Sequence, residues 1–517
     1  MANVNLDALI RREDFEFRPE EDSGATLAAQ VSLSELDKGK LFFAGLRKPD
    51  FQRETTEWTP DRVVRLIRTY VENDLIPAVI LWNNKGLIFV VDGSHRLSAL
   101  VAWVHDDYGD GEGSLKFFEG NIPDDQLDVA DRTRKMVAKQ IGSYKDHVAA
   151  GSNPDKYGPE IVARARIIAA RGIDLQWVRG GAAKAEESFV RINQQVSTIA
   201  PQELELIQKR RLPNVIAGRA VLRRATGHPY WDSAPPDVKT QIKSLATEIH
   251  DLLFIPQGRD ITVTDLPPGG PVYAGTSLRM VYDFINLCIE TPSETPDESG
   301  AKTVEYLTRC RRVMRLRISK DPSSLGLHPA VYFYSWTGRQ QAIQFLAIAK
   351  LVIDLDRTNR LAYFVAVRSR FEEFLITHRP LLQQVVRKYG SKSAGANHLR
   401  EYYDAVITLL QEGIAADGIP DQLRKKHGLS YLQPEEVIPE GKRGAAFSSG
   451  VKAGVAMREL VKSAARCAVC GGLVPVRAIS VDHRQRREDG GGSGSDNAQI
   501  THPFCNTGIK EKGASAR

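Results

Sequence analysis

Near its end the chain reads Cys467-Ala-Val-Cys470 and, further on, His502-Pro-Phe-Cys505-Asn506, with Val481-Asp482-His483-Arg484 and Asp496-Asn497-Ala498-Gln499 between them. Each outer pair sets two soft or borderline metal ligands two residues apart. Together Cys467, Cys470, His502 and Cys505 have the spacing that closes a tetrahedral zinc site. All four positions are then filled, so this zinc would be structural. It would clamp a segment too short to build a core of its own. The run Val474-Pro-Val-Arg-Ala-Ile-Ser-Val481 reads as β-rich and delivers Asp482 and His483 to its end. Gly490, Gly491, Gly492, Ser493 and Gly494 make a flexible crossing, after which Asn497 is expected to open a short helical stretch ending near Asn506.

This arrangement, over about Arg466 to Lys512, resembles the HNH nuclease family with its ββα-metal fold. The resemblance implies two strands and a helix around one catalytic divalent cation. It makes His483 the general base that takes a proton from the attacking water. Asp482 and Asn506 become ligands of a magnesium- or manganese-class cation that polarises the scissile phosphate. Asn497 resembles the middle Asn of the family name, which orients the loop carrying the base. The family's second knuckle usually carries two cysteines; here His502 takes the first place, and histidine is an acceptable zinc ligand. From Val451 to Arg517 there are 11 Lys and Arg against 6 Asp and Glu, a net +5 of the chain's +6. Positive charge is thus concentrated where a phosphate backbone would lie, and Arg484, Arg486 and Arg487 are candidate DNA-phosphate contacts.

The 517 residues, 42% hydrophobic and 26% charged, suffice for two to four domains with sizeable cores. Five cysteines, three of them in the C-terminal stretch and the others Cys288 and Cys310, argue against a disulfide scaffold and for a reducing compartment. The N-terminus lacks the basic start and apolar run of a signal peptide, and no segment approaches the roughly 20 apolar residues of a membrane span. A cytoplasmic protein without a membrane partner is expected.

A second constellation lies towards the N-terminus. Thr59 followed by Pro60 reads as an N-cap and first helical position, with Val63, Val64, Ile67, Tyr70 and Val71 at helical spacing up to about Asn73. Two β-rich runs, Ala78 to Trp82 and Leu87 to Val91, flank the turn Asn83-Asn84-Lys85-Gly86. The second leads into Asp92-Gly93-Ser94-His95-Arg96 and an amphipathic helix through Leu97, Leu100, Val101 and Val104. At such a strand-turn-helix junction the backbone N–H groups attract anions, Gly93 allows close approach, and His95 and Arg96 add donors. An ordinary capped helix, with Asp92 as its cap, accounts for the same five residues. Phe51-Gln52-Arg53-Glu54 upstream and Phe189-Val-Arg191-Ile-Asn193 downstream complete a triple.

Over about Leu41 to Gln208 that triple resembles the ParB/sulfiredoxin-like domain of GmrSD-type restriction proteins and of phosphorothioate-sensing phage-defence nucleases. The resemblance implies a pocket for a nucleoside triphosphate, GTP among them, or for DNA phosphate. In it Gln52, Arg53, Asp92, Gly93, Ser94, His95, Arg96, Arg191 and Asn193 would face the ligand. Ser94 and His95 stand where the family commonly has two glutamines, so triphosphate hydrolysis is less secure than phosphate binding.

Between these ends, stripes such as Phe345, Ile348, Ala349 and Val352, or Phe371, Phe374 and Leu375, predict a helical core. Asp283, His328 and His398 read as structural. The expected architecture is α+β: a ParB/sulfiredoxin-like α/β domain over 1–205, a mostly helical domain over 206–432, a linker over 433–450 and a zinc-stapled ββα-metal domain over 451–517. The expected function is a restriction or anti-phage endonuclease that nicks or cuts DNA, with modified DNA or a nucleotide as its trigger. A homo-oligomer would help double-strand cutting. The competing expectation is a nucleotide-switched DNA-binding regulator whose zinc tail is not catalytic.

Overall fold

Alternation of large apolar residues in Val79–Asn84 and Leu87–Asp92 places Val79, Leu81 and Val90 in one core and Trp82, Phe89 and Val91 in another, as the two-residue period of a strand requires. These strands, β4 and β5, form the antiparallel hairpin at the middle of a six-stranded sheet. The others are β1 (Arg12–Glu13), β2 (Gln30–Ser32), β3 (Leu46–Pro49) and β6 (Gly172–Val178). Their order is β1-β3-β5-β4-β6-β2, with β3 parallel to β5 and β6 parallel to β4. Asn84 pairs with Leu87, so the hairpin turn is tighter than the four residues expected, and Gly86 adopts the positive φ of 82° that such a turn needs.

The computed structural model describes residues 3–15, 27–50, 52, 55, 58–84, 86–120, 122–196, 205–206, 208–255, 266–272, 277–289, 291–390, 393–426, 428–433 and 447–509, apart from the side chains of 193–196, 318, 393 and 449. Arg53, the side chain of Asn193 and most of the expected 433–450 linker lie outside this description. The chain divides into two compact units, one of residues 1–211, 225–232 and 273–275, the other of the remainder.

In the first unit the helices Pro60–Val71 and Ser94–His105 cover one face of the sheet. Val63, Val64, Ile67, Tyr70 and Val71 are buried at helical spacing, as the sequence predicts. Phe189, on the helix Ala182–Val196, packs on the other face beside Trp82 and Phe89. A buried carboxylate, Asp7, is held by Arg12 at 2.8 Å and Lys48 at 2.7 Å. Two cations and the Thr55 amide satisfy it, which is the condition under which a buried charge is tolerated. Arg12 also donates to the carbonyls of Pro49 and Gln52. The same network therefore fixes the loop that carries Gln52.

The second unit is built on helices, among them Pro236–Phe254, Ala301–Ile318, Ala342–Arg357, Leu361–Thr377, Arg379–Tyr389 and Ser393–Gln411. The expected stripes form its core: Phe345, Phe371, Phe374 and Tyr402 are fully buried. The helix Ser449–Ser463, N-capped by Ser448, then leads into four short strands. Gly454 lies so close to Trp336 that a Cβ there would fall 2.4 Å from the ring, so the helix can approach only with glycine. Strands β7 (Ala465–Arg466) and β8 (Leu473–Val474) pair antiparallel around the first knuckle. Strands β9 (Ser480–His483) and β10 (Ala498–Thr501) make a second hairpin, followed by a π-helical turn, Cys505–Ile509.

Two local expectations change. Pro475 cannot donate to a ladder, and the run from Val474 to Val481 breaks there into the 3-10 turn Val476–Ala478. Residues 498–501 are a strand where a helix was expected, because Ala498 to Thr501 pair with the backbone of β9, whose polar groups require a partner. The α+β architecture stands, with a mixed sheet in the first unit and the small sheets and a Cys3His cluster near the C-terminus. Among the described residues no helix is long and apolar enough to cross a membrane.

Candidate metal centre, hairpin and anion pocket

The first knuckle is made by the β7–β8 turn. Cys467 N–H donates to the carbonyl of Gly472 and Gly471 N–H to that of Cys467, curling Cys470 back towards Cys467. The second comes from the entry to the last helical turn, where His502 and Cys505 are fully buried. The three sulfurs and an imidazole nitrogen lie within 4.8 Å of one another. His502 Nε2 is 3.0 Å from the carbonyl of Leu473, which makes it the N–H donor and leaves Nδ1 facing Cys470 Sγ at 3.4 Å and Cys505 Sγ at 3.8 Å. Burial, reinforced by the Arg368 charge, holds His502 below the ordinary imidazole range and hence neutral. Cys467 is held far below the ordinary thiol range by hydrogen bonds from Cys470, Cys505 and His502. For the same reason Cys470 is pushed up to about 11 and Cys505 well above that range. Three sulfurs and a neutral imidazole converge in a closed set. The donor set and spacing fit a structural metal such as zinc.

This cluster is locked to the helical core. Leu473 N–H donates to Glu372 Oε2 at 2.6 Å, Arg368 donates to Glu372 Oε1 at 2.7 Å, and a second Arg368 nitrogen lies 3.4 Å from the carbonyl of Leu473. Both side chains are essentially without solvent access. Sequence reading missed this pair. An Arg and a Glu four residues apart on a helix ordinarily signify a surface pair.

On the second hairpin Asp482 is buried, and its carboxylate accepts the His483 amide at 2.7 Å and Gln499 Nε2 at 3.0 Å. Ser480, two residues back and on the same face, accepts from Asn506 Nδ2 at 3.0 Å. Asn506 Oδ1 accepts no hydrogen bond among the described residues, and Ser480, to which Asn506 is tied, lies two residues before Asp482 on the same strand. His483 ends the strand, half-buried, with Arg487 Nε 3.4 Å from its Nε2. Asn497 closes the long loop: its amide accepts from Gln485 N–H at 2.7 Å and donates to the carbonyls of Gln485 and Gly492. Arg484 and Arg487 are exposed and Arg486 half-exposed, all beside His483.

In the first unit β5 runs into Gly93, which adopts φ 96° and itself occupies the N-cap position of the following helix. Asp92 therefore does not cap; its carboxylate holds Arg96 at 2.8 Å. Gln52, Asp92, Gly93, Ser94, His95 and Arg96 line one cavity of about 160 Å³. Trp58 stacks on His95 at 5.8 Å and, with Phe189, supplies apolar wall. Buried Gln52 donates to the carbonyl of Val90, and its Oε1 has no hydrogen-bond partner among the described residues. Arg191 is exposed and does not line the cavity. A Cβ on Gly93 would fall 3.0 Å from an Arg96 nitrogen and 3.2 Å from Val79. Gly93→Ala is expected to cost about 1–3 kcal/mol from its positive φ and this crowding, measured as a lower urea midpoint of the full chain followed by tryptophan fluorescence.

Residues 33–204 match the GmrSD restriction endonuclease N-terminal domain. No curated protein and no solved structure matches the chain. The GmrSD-type segment lies within the first unit and includes the β4–β5 hairpin, the Gly93 junction and Phe189. It supports a GmrSD-type restriction or defence nuclease, and it stops before the helical core and the Cys3His cluster. Phe189 was legible in the GmrSD-type triple only as a flanking apolar residue, and Trp58 was not singled out. Their place in the pocket wall follows from the packing of two helices against opposite faces of β5.

Proposed function

We propose that the chain is a restriction or defence endonuclease whose C-terminal hairpin hydrolyses DNA phosphodiesters in the HNH manner. The observation that carries this reading is the joint placement of buried Asp482, Asn506 tied to Ser480 of the same strand, and His483 at the strand end beside three arginines. Asp482 and Asn506 offer hard oxygen donors, which suit a magnesium- or manganese-class cation. Such a cation, when bound, supplies Lewis-acid stabilisation of charge on the phosphate. His483 accepts the proton of a water whose oxygen bonds to phosphorus as the ester P–O bond breaks. Arg484, Arg486 and Arg487 hold the backbone phosphates, and Asn497 keeps the loop bearing them in register with His483. The GmrSD-type pocket binds a phosphate or the phosphate end of a nucleotide through Gln52, Ser94, His95 and Arg96, consistent with its small volume. Arg191 would contribute from outside that cavity. Modified DNA or a nucleoside triphosphate at this pocket is the proposed trigger, acting in the cytoplasm.

A supercoiled-plasmid assay tests the reading. The full chain should nick the plasmid in magnesium or manganese, and His483→Ala should slow nicking by at least about a hundredfold, the lower range for a lost general base. Its bound metal and melting temperature should not change. Equal nicking by both proteins, or none by either on modified and unmodified DNA with each triphosphate, would leave a zinc-stapled DNA-binding tail as the better description.

A further inference from the structure

The helical unit contains a cavity of about 310 Å³, apart from the hairpin. Trp336, Arg339, Gln344, Arg379 and Arg387 are among its walls, and no Asp or Glu lines it. Several arginines elsewhere in this unit are paired with acids, for example Arg315 with Glu248, Arg224 with Asp251 and Arg360 with Asp404, while Arg317 and Arg477 donate to backbone carbonyls. None of Arg339, Arg379 and Arg387 forms an ion pair among the described residues. Arg379 is half-buried and, among the described residues, hydrogen-bonds only the carbonyl of Ala330, at 3.4 Å. Burial draws it below the ordinary guanidinium range with no acid to offset the cost.

Gln344 adds an independent observation. It is 7% exposed, lines the cavity, and its side-chain amide makes no hydrogen bond among the described residues. Its amide atoms keep contact with solvent, so whatever fills the cavity completes their bonds. Trp336 offers an aromatic wall, held in place by the close approach of Gly454.

We propose that this cavity binds a phosphorylated nucleoside, its phosphate on Arg339, Arg379 and Arg387, its base against Trp336 and hydrogen-bonded by Gln344. The volume is at the lower end of small-ligand pockets. Guanidinium groups match phosphate oxygens, and base-aromatic stacking tolerates any base. The nucleotide can be free or part of an unstacked strand; the site chemistry is the same.

Photoaffinity labelling of the full chain with an azido-adenosine monophosphate, followed by peptide mapping, separates this site from the GmrSD-type pocket. Label on the peptide containing Trp336 is expected, and Arg339→Gln/Arg387→Gln should reduce it at least tenfold. Label on peptides containing Trp58 or Phe189 should be unaffected, and both arginines are exposed enough for the variant to fold. Adenosine monophosphate competing at tenfold lower concentration than adenosine or inorganic phosphate supports a free nucleotide. Competition by a single-stranded oligonucleotide at tenfold lower concentration than adenosine monophosphate supports one presented in DNA. No label at Trp336, undiminished label in the double variant, or equal competition by inorganic phosphate overturns the proposal.

Discussion

Stripping metal from the full chain with a strong chelator, or changing Cys467 to Ser, should release residues 465–509 from their fold while the helices between Ala342 and Gln411 keep theirs. The expected size follows from the site. Structural zinc contributes on the order of 10–16 kcal/mol in small zinc-dependent folds, and the strands around this cluster are two to four residues long. Strands so short cannot persist on their own ladders. Three sulfurs and one imidazole nitrogen within 4.8 Å become mutually compatible when a divalent cation lets the thiols ionise. Hydrogen exchange read by mass spectrometry checks this directly: amides of 465–509 should lose protection by several orders of magnitude, and those of Phe371 and Tyr402 should not. Cys288→Ser, well separated in sequence from the cluster, should leave the C-terminal amides unchanged. A purified chain with no stoichiometric metal and an unaltered exchange pattern after chelation would remove the metal from the account of this fold.

The parts legible in the sequence are those whose physics is local. Four ligands with paired two-residue gaps, the Pro60 helix start, the alternation along β4 and β5 and the stripes around Phe345 and Phe371 all report on neighbours within a few residues. The Gly93 turn was legible for the same reason. What escaped depends on long-range packing. Trp58 and Phe189 come to line one cavity only once both faces of the sheet are covered. The strand Ala498–Thr501 exists because Ser480–His483 needs a partner, and nothing in Ala-Gln-Ile-Thr alone distinguishes it from a helix start. Arg368 and Glu372 look like a solvated pair on a helix; their burial follows from the Cys3His cluster sitting on them. The same blindness applies to Arg339, which joins Arg379 and Arg387 of the helix Arg379–Tyr389 at one cavity only in three dimensions.

Glu372→Gln should destabilise the helical unit by about 3–5 kcal/mol, the loss seen when one member of a buried ion pair is removed. Glu372 is 1% exposed and serves three donors: Arg368 Nε, Tyr332 Oη at 2.9 Å and the Leu473 amide. Burial alone would draw the Arg368 guanidinium down; Glu372 more than offsets it and holds it well above the ordinary range. Glutamine keeps an acceptor oxygen but removes the charge, so the guanidinium stays buried and uncompensated against the carbonyls of Leu325 and Gly326. The effect should reach the metal. The carbonyl of Leu473 is shared between Arg368 and His502 Nε2, so a displaced guanidinium loosens the bond that orients the ligand imidazole. Zinc release to a chromogenic chelator should therefore quicken at least tenfold in Glu372→Gln, and excess zinc should restore any lost nicking, which distinguishes a positioning role from a catalytic one. Arg368→Met/Glu372→Leu should recover part of the stability, because no charge remains buried, yet should keep the fast zinc release, because neither side chain can hold Leu473. Were the double variant to release zinc as slowly as the parent, the ion pair would be a feature of the helical core alone, and the metal centre would owe its geometry to the knuckles themselves.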